Sequence, residues 1–205
     1  MAMKRFPLSN ENSYSTKYRH GEKLYATLEL NQVAFPQTGM VVSQTPLGEE
    51  FTIDAPCENG MWVVADKAAK AINSPAAATD KPIGIVYTTE KEYDPYHYGL
   101  QTFGRKIAGD YPRVGIFGLG DTVTTNCLQY DDTEFAAANN KTSDEVLYTA
   151  LEAIGTTPLY VVAVAGSPVP KITASKPASG TYAKVVKYYT VPNGEKGVKY
   201  QIVSL

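Results

Sequence analysis

The side chains able to do chemistry in this chain are few and scattered. Its two histidines, His20 and His97, have no acidic partner at ligand or triad spacing, so neither a metal site nor a histidine-based triad is expected. Gly115, Gly118 and Gly120 spell Gly-x-x-Gly-x-Gly, which is not the dinucleotide fingerprint and opens no helix; strand bending or a bulge is expected there instead. Glu90, Glu92 and Asp94 fall on one side of an extended segment, where paired carboxylates could do acid–base work. The interleaved Lys91 and Tyr93 favour a solvated edge. Asp131 and Asp132 with Glu134 could touch a cation, yet they lack the glycine and the later glutamate of a calcium loop. Cys57 and Cys127 match no zinc or redox spacing, and two buried free thiols are favoured over a disulfide. Asn140-Lys141-Thr142 is a formal glycosylation sequon, but residues 1–10 lack the apolar core of a secretory signal. No catalytic residue, cofactor or metal is therefore assigned.

One further pattern could bind rather than react. Lys171, Lys176, Lys184, Lys187, Lys196 and Lys199 interleave with Tyr182, Tyr188, Tyr189 and Tyr200. Single-strand nucleic-acid binders use such stacking platforms, but lysines alternating with apolar residues more simply mark one wet face of a sheet. The net charge of -2 also lacks the basic excess on which nonspecific nucleic-acid binding relies.

The elements that must position these groups read as β. A chain of 205 residues suits one large all-β domain and can bury roughly 70% of its unfolded surface without a staple. No run approaches the ~20 apolar residues of a membrane span, so a soluble protein is expected. Tyrosine is abundant, 15 against 6 phenylalanines. That suits strands and partly wet interfaces alike. Residues 1–22 show neither a helical nor a strand period. They read as a frayed terminus or as an extended arm that orders on a partner, with Lys4, Arg5, Phe6, Tyr14, Lys17, Tyr18 and Arg19 as candidate contacts.

A β-rich body is expected over 23–165. Leu24, Ala26, Leu28 and Leu30 alternate with polar residues, and Met40–Val42, Phe51–Ile53, Met61–Ala65, Ile83–Tyr87, Val114–Phe117 and Leu159–Val164 read as strands. Asn59-Gly60 between apolar runs signals a hairpin, and the alanine-rich stretch 66–82 reads as a link. Leu24, Leu28, Trp62, Val64, Ile85, Val114, Ile116 and Phe117 are expected to share one core. Thr142 with Glu145 forms a capping box, Gly155 supplies a stop, and Leu147, Ala150, Leu151 and Ile154 line one face, so one short helix is predicted. Residues 166–205 read as a linker and a C-terminal β-hairpin, Ala183–Val191 with Val198–Val203, which could form a small subdomain. The fold class is mainly β, a β-barrel or β-sandwich-like body.

Gly60-Met-Trp-Val-Val-Ala-Asp66, Ile83-Gly-Ile-Val-Tyr87 with Lys91-Glu-Tyr-Asp94, and Tyr111-Pro-Arg-Val-Gly-Ile116 with Gly120-Asp-Thr-Val-Thr-Thr-Asn126 resemble segments of small structural proteins of tailed bacteriophages. They are similar in particular to head decoration, or capsid cement, proteins. The resemblance spans about residues 60 to 130. It implies a non-enzymatic virion protein that stabilises the assembled capsid from its outer surface after synthesis in the bacterial host cytoplasm. The implied partners are the major capsid protein and further copies of the chain, a trimer being favoured, with no nucleic acid, membrane or small-molecule substrate. Contact residues vary among such proteins, so none is carried over. A phage tail or head–tail connector component has the same profile, and a carbohydrate-binding or host-adhesion module is a third reading.

Overall fold

A computed structural model describes residues 3–6, 41–66, 70–81, 83–87, 107–138, 140–190 and 196–205. Among them, two sheets and one helix are formed, and the fold is mainly β with a sandwich-like body. No described helix is long and apolar enough to cross a membrane.

The smaller sheet is antiparallel, in the order β2–β6–β5–β3–β4. Its strands are β2 (Val41–Val42), β3 (Trp62–Asp66), β4 (Ala71–Asn73), β5 (Ile83–Val86) and β6 (Val114–Ile116). It is buried on both faces, which is why its strands read as near-continuous apolar runs. The pleat sends Trp62, Ile83 and Ile85 to one side and Val63, Ala65 and Val86 to the other. The close approach of β5 and β6 depends on Gly84: a Cβ there would lie 2.6 Å from Val114 Cγ1 and 2.7 Å from the Gly115 carbonyl.

The larger sheet has the order β1–β8–β10–β9–β11–β12–β7. It comprises β1 (Met3–Arg5), β7 (Thr122–Thr125), β8 (Gln129–Asp131), β9 (Tyr160–Val164), β10 (Ser167–Thr173), β11 (Tyr182–Thr190) and β12 (Lys196–Ser204). All its pairings are antiparallel except β8 with β10. Its inner face, the Trp62 side of the smaller sheet and the helix α1 (Ser143–Glu152) enclose the first core. The second core lies on the far side of the smaller sheet, where Leu47, Phe51, Cys57 and Met61 cover Val63, Ile72, Val114 and Ile116.

Helix α1 follows its sequence signals. Thr142 Oγ1 accepts the Glu145 amide at 3.3 Å, and the Glu145 carboxylate accepts the Thr142 amide at 2.7 Å. Leu147 and Leu151 are buried in the first core.

Several expectations are corrected. Val114 and Ile116 are two residues apart and share a face, so Phe117 must point the other way. Phe117 joins Trp62 and Ile85 in the first core, with partly buried Val64 packed against it, while Val114 and Ile116 belong to the second. Leu24 and Leu28 lie outside the described residues. The Asn59-Gly60 turn exists, with Gly60 at φ +93°, but β3 pairs with β4 and β5 rather than closing a hairpin onto 51–53, which forms no strand. The link over 66–82 contains β4, whose Ile72 is fully buried. Residues 167–173 are strand β10 rather than linker, and β11 and β12 pair with β9 and β7, so the hairpin is an inner part of the larger sheet.

Candidate partner-docking site

The arm residues Lys4, Arg5 and Phe6 were expected to meet a partner; instead they tie the chain's start to its own body. β1 pairs antiparallel with β8, with Met3 opposite Asp131 and Arg5 opposite Gln129. The pairing continues through the Phe6 amide, which donates to the Leu128 carbonyl at 2.8 Å. Phe6 is 1% exposed and lies edge-on to Tyr148, with centroids 5.9 Å apart. Lys4 Nζ donates to Ser143 Oγ at 2.8 Å and forms an ion pair with Asp132 at 2.8 Å, linking β1 to the start of α1. The Arg5 guanidinium donates to the Glu58 carboxylate at 3.3 Å, reaching the turn before β3 in the other sheet. Phe6 is thus removed from the set of partner contacts: a side chain filling the core offers no surface. Tyr14, Lys17, Tyr18 and Arg19 lie outside the described residues.

The acidic run after β8 is similarly occupied. Asp131 accepts from the Thr133 amide at 2.9 Å and hydroxyl at 2.6 Å, and these bonds hold its carboxyl below its ordinary range. Glu134 accepts from the Thr173 hydroxyl at 2.7 Å and the Ala174 amide at 2.6 Å, with Lys171 Nζ at 3.8 Å. These carboxylates cap turns and bind β10 to the β8 corner. No group of three or more metal-ligating side chains comes together among the described residues. Glu90, Glu92, Asp94, His20 and His97 lie outside them.

Gly118 and Gly120 form a tight turn rather than a phosphate loop. The Gly118 amide donates to the Asp121 carboxylate at 2.7 Å, and Gly120 sits at φ +88°. Cys57 and Cys127 are buried free thiols. Burial pushes the Cys127 thiol up to about 12, with the Arg5 cation pulling slightly the other way. Thr142 of the sequon is the N-cap of α1.

A linked file of rings runs from β1 to the terminal hairpin. Phe6 meets Tyr148 on α1, Tyr148 stacks on Tyr188 of β11 at 5.8 Å and 22°, and Lys196 Nζ lies 5.6 Å over the Tyr188 ring. Beneath β1, the Tyr130 hydroxyl donates to the Asp144 carboxylate; burial first, then that bond, raises this phenol to about 12. The file consolidates the helix against the sheet; Phe6 and Tyr188 stood out in the sequence, whereas Tyr148, which joins them, did not.

The outer face of β11 and β12 carries Lys184, Lys187 and Lys199 beside the exposed Val186 and Val203. Comparison with known proteins returned no match, neither a family model, nor a curated protein, nor a solved structure.

Proposed function

We propose that this chain is a non-enzymatic virion structural protein that binds an assembled phage capsid and stabilises it as a head decoration, or cement, protein. The observation that carries the reading is the place of the segments similar to such proteins. Gly60–Asp66, Ile83–Tyr87 and Tyr111–Ile116 contain β3, β5 and β6 of the doubly buried sheet, and Gly120–Asn126 contains β7. Similarity concentrated in the scaffold rather than around polar groups is what a structural role requires. The described acids after β8 support it too, since they are used in turn capping and cross-ties instead of converging on a cleft.

A sugar-binding role is less well supported. The chain's one tryptophan, Trp62, is 0% exposed and hydrogen-bonded to Tyr200, so it offers no ring to a saccharide.

The test is to mix purified protein with empty capsids assembled from the coat protein of the same genome and to image the particles. Added density on the outer shell, in a regular array, supports decoration. Density confined to tails or to the portal vertex replaces it with the tail or connector reading, and bare particles overturn it. Light scattering of the free protein checks the expected homo-oligomer, a trimer being favoured.

A further inference from the structure

The outer face of the larger sheet is set by register. The core residues of β11 and β12 point inward, so Lys184, Lys199, Gln201 and Val203 point outward. Tyr160 on β9, Lys184 on β11 and Gln201 on β12 form one cross-strand row. Further along, beyond the register shift between Val185 and Lys187, Lys187 stands directly opposite Lys199. Val186, the residue at that shift, is 54% exposed, and Val203 is 42% exposed.

Among the described residues, the charge on this face is uncompensated. The face carries Lys184, Lys187 and Lys199, while neither β11 nor β12 holds an aspartate or glutamate. Among the described residues, none of these lysines has an ion-pair partner. Lys187 rests over a neutral ring instead, its Nζ 5.8 Å from the Tyr189 centroid. Like charges directly opposite one another in a sheet are destabilising. The chain has acids enough to pair them, 21 against 19 basic residues, yet none stands on these two strands.

The occupant follows from elimination on chemistry. A second copy docking by the same face would set lysine rows against each other, because an isologous contact repeats its own surface. Single-stranded nucleic acid needs open ring faces for stacking, and the rings of this face are engaged: Tyr189 by Lys187, and Tyr160 edge-on to Tyr182 at 6.0 Å. An acidic protein surface satisfies both halves of the face. Val186 stands between the Lys187–Lys199 and Lys184–Gln201 pairs, and Val203 lies beyond the second pair, so apolar and cationic groups share the face as they do in a protein interface. We infer that the outer face of β11–β12 docks an acidic protein surface, with Lys184, Lys187 and Lys199 meeting carboxylates around Val186 and Val203. The inference rests on the decoration reading for the partner's identity, the capsid shell, and on this chain's residues for the contact.

The experiment is co-sedimentation with empty capsids from the same genome, at low and high salt. It uses wild type, the triple variant Lys184→Gln/Lys187→Gln/Lys199→Gln and the triple variant with Glu at the same positions. Both variants should stay folded, because these side chains lie outside the core, and the Gln variant should melt no lower than the wild type, since the Lys187–Lys199 repulsion is gone. The Gln variant should bind about tenfold more weakly and lose most of the salt dependence, since exposed pairs are individually small. The Glu variant should bind about a hundredfold more weakly, as like charges then face one another. Capsid binding by the Glu variant equal to wild type overturns the docking face and leaves the decoration reading standing. No binding by wild type overturns both. Lysine-dependent binding of a thymidine 30-mer with unchanged capsid binding reassigns the face to nucleic acid and overturns the inference.

Discussion

A buried hydrogen bond joins the two sheets, and its removal has a calculable consequence. The Trp62 indole N–H on β3 donates to the Tyr200 hydroxyl on β12 at 2.9 Å, and both residues are 0% exposed. Tyr200→Phe deletes the acceptor and nothing else, leaving the indole N–H in the first core without its partner. An orphaned buried donor costs about 1–3 kcal/mol. At this chain length each kcal/mol moves the melting midpoint by about 2–4 °C, so a loss of about 2–12 °C is expected. Trp62→Phe also removes ring contacts, since the indole lies edge-on to Phe117 at 5.0 Å and to Tyr200 at 5.8 Å. Each such aromatic pair is worth about 0.5–1.5 kcal/mol beyond its buried area. The double variant has neither donor nor acceptor and should lose less than the two singles summed, by about 0.5–3 kcal/mol.

Urea denaturation of the four proteins measures this cycle, provided the slope with denaturant stays constant. Tyr200→Phe within about 0.5 kcal/mol of wild type, or strict additivity in the double variant, would refute the reasoning. A pH series adds an independent check. Burial raises the Tyr200 phenol well above its ordinary value, with the Trp62 bond opposing. The folded state therefore holds a proton that the unfolded chain releases from about pH 10. Its contribution is fully present below that pH and fades as pH rises above it.

Phe6→Ala should cost about 3–5 kcal/mol, as for other buried aromatics; unchanged stability in urea would mean that residues 3–6 are a loose end after all. Neither Cys57 nor Cys127 should react with a thiol reagent at pH 8 until the protein unfolds. Because the Cys127 thiol is raised from 9.0 to about 12, its stabilisation is complete below about pH 9 and is lost as pH climbs toward 12; native-state labelling at the rate of a free thiol contradicts this. Gly60→Ala should be clearly more destabilising than Gly109→Ala. Both glycines have positive φ, +93° and +85°, but a Cβ at Gly60 would sit 2.5 Å from Cys127 Cβ, whereas nothing lies within 4 Å at Gly109. Equal melting losses in the two variants would remove the packing half of that explanation.

The sequence was most legible where structure is local. The capping box of Thr142 and Glu145 predicts α1 because both partners lie within one turn, and alternation in 159–164 and 183–203 marks β9, β11 and β12 because a half-buried strand must alternate. It was least legible where pairing is distant or broken. β10 contains Pro168 and Pro170, which argue against a strand; the chain accommodates them at the register shift between Ser167 and Lys171. β1 and β4 are three residues each, too short for a period to show, and exist because β8 and β3 offer them an edge. The pairing of residues 3–6 with the body was illegible for the same reason. Lys4, Arg5 and Phe6 look like an arm in isolation, and only the distant Ser143, Glu58 and Tyr148 make them part of the body.

On the proposed reading, a cement protein must present a stiff face, and β12 shows how one strand can supply both stiffness and contact. Lys199 and Gln201 flank Tyr200, so the pleat places the proposed docking side chains and the anchor of the two sheets on opposite sides of the same three residues. A pull on the outer face then reaches β3 through the Tyr200 hydroxyl and reaches β7 through the Val198–Gln201 ladder. The same alternation keeps the two roles experimentally separate. Substitutions at Lys199 change charge without entering the core, and Tyr200→Phe changes the core without touching the outer charge. If docking and stability nevertheless fell together in both sets of variants, the face would be deforming on binding, and the rigid-plate account of this sheet would have to be abandoned.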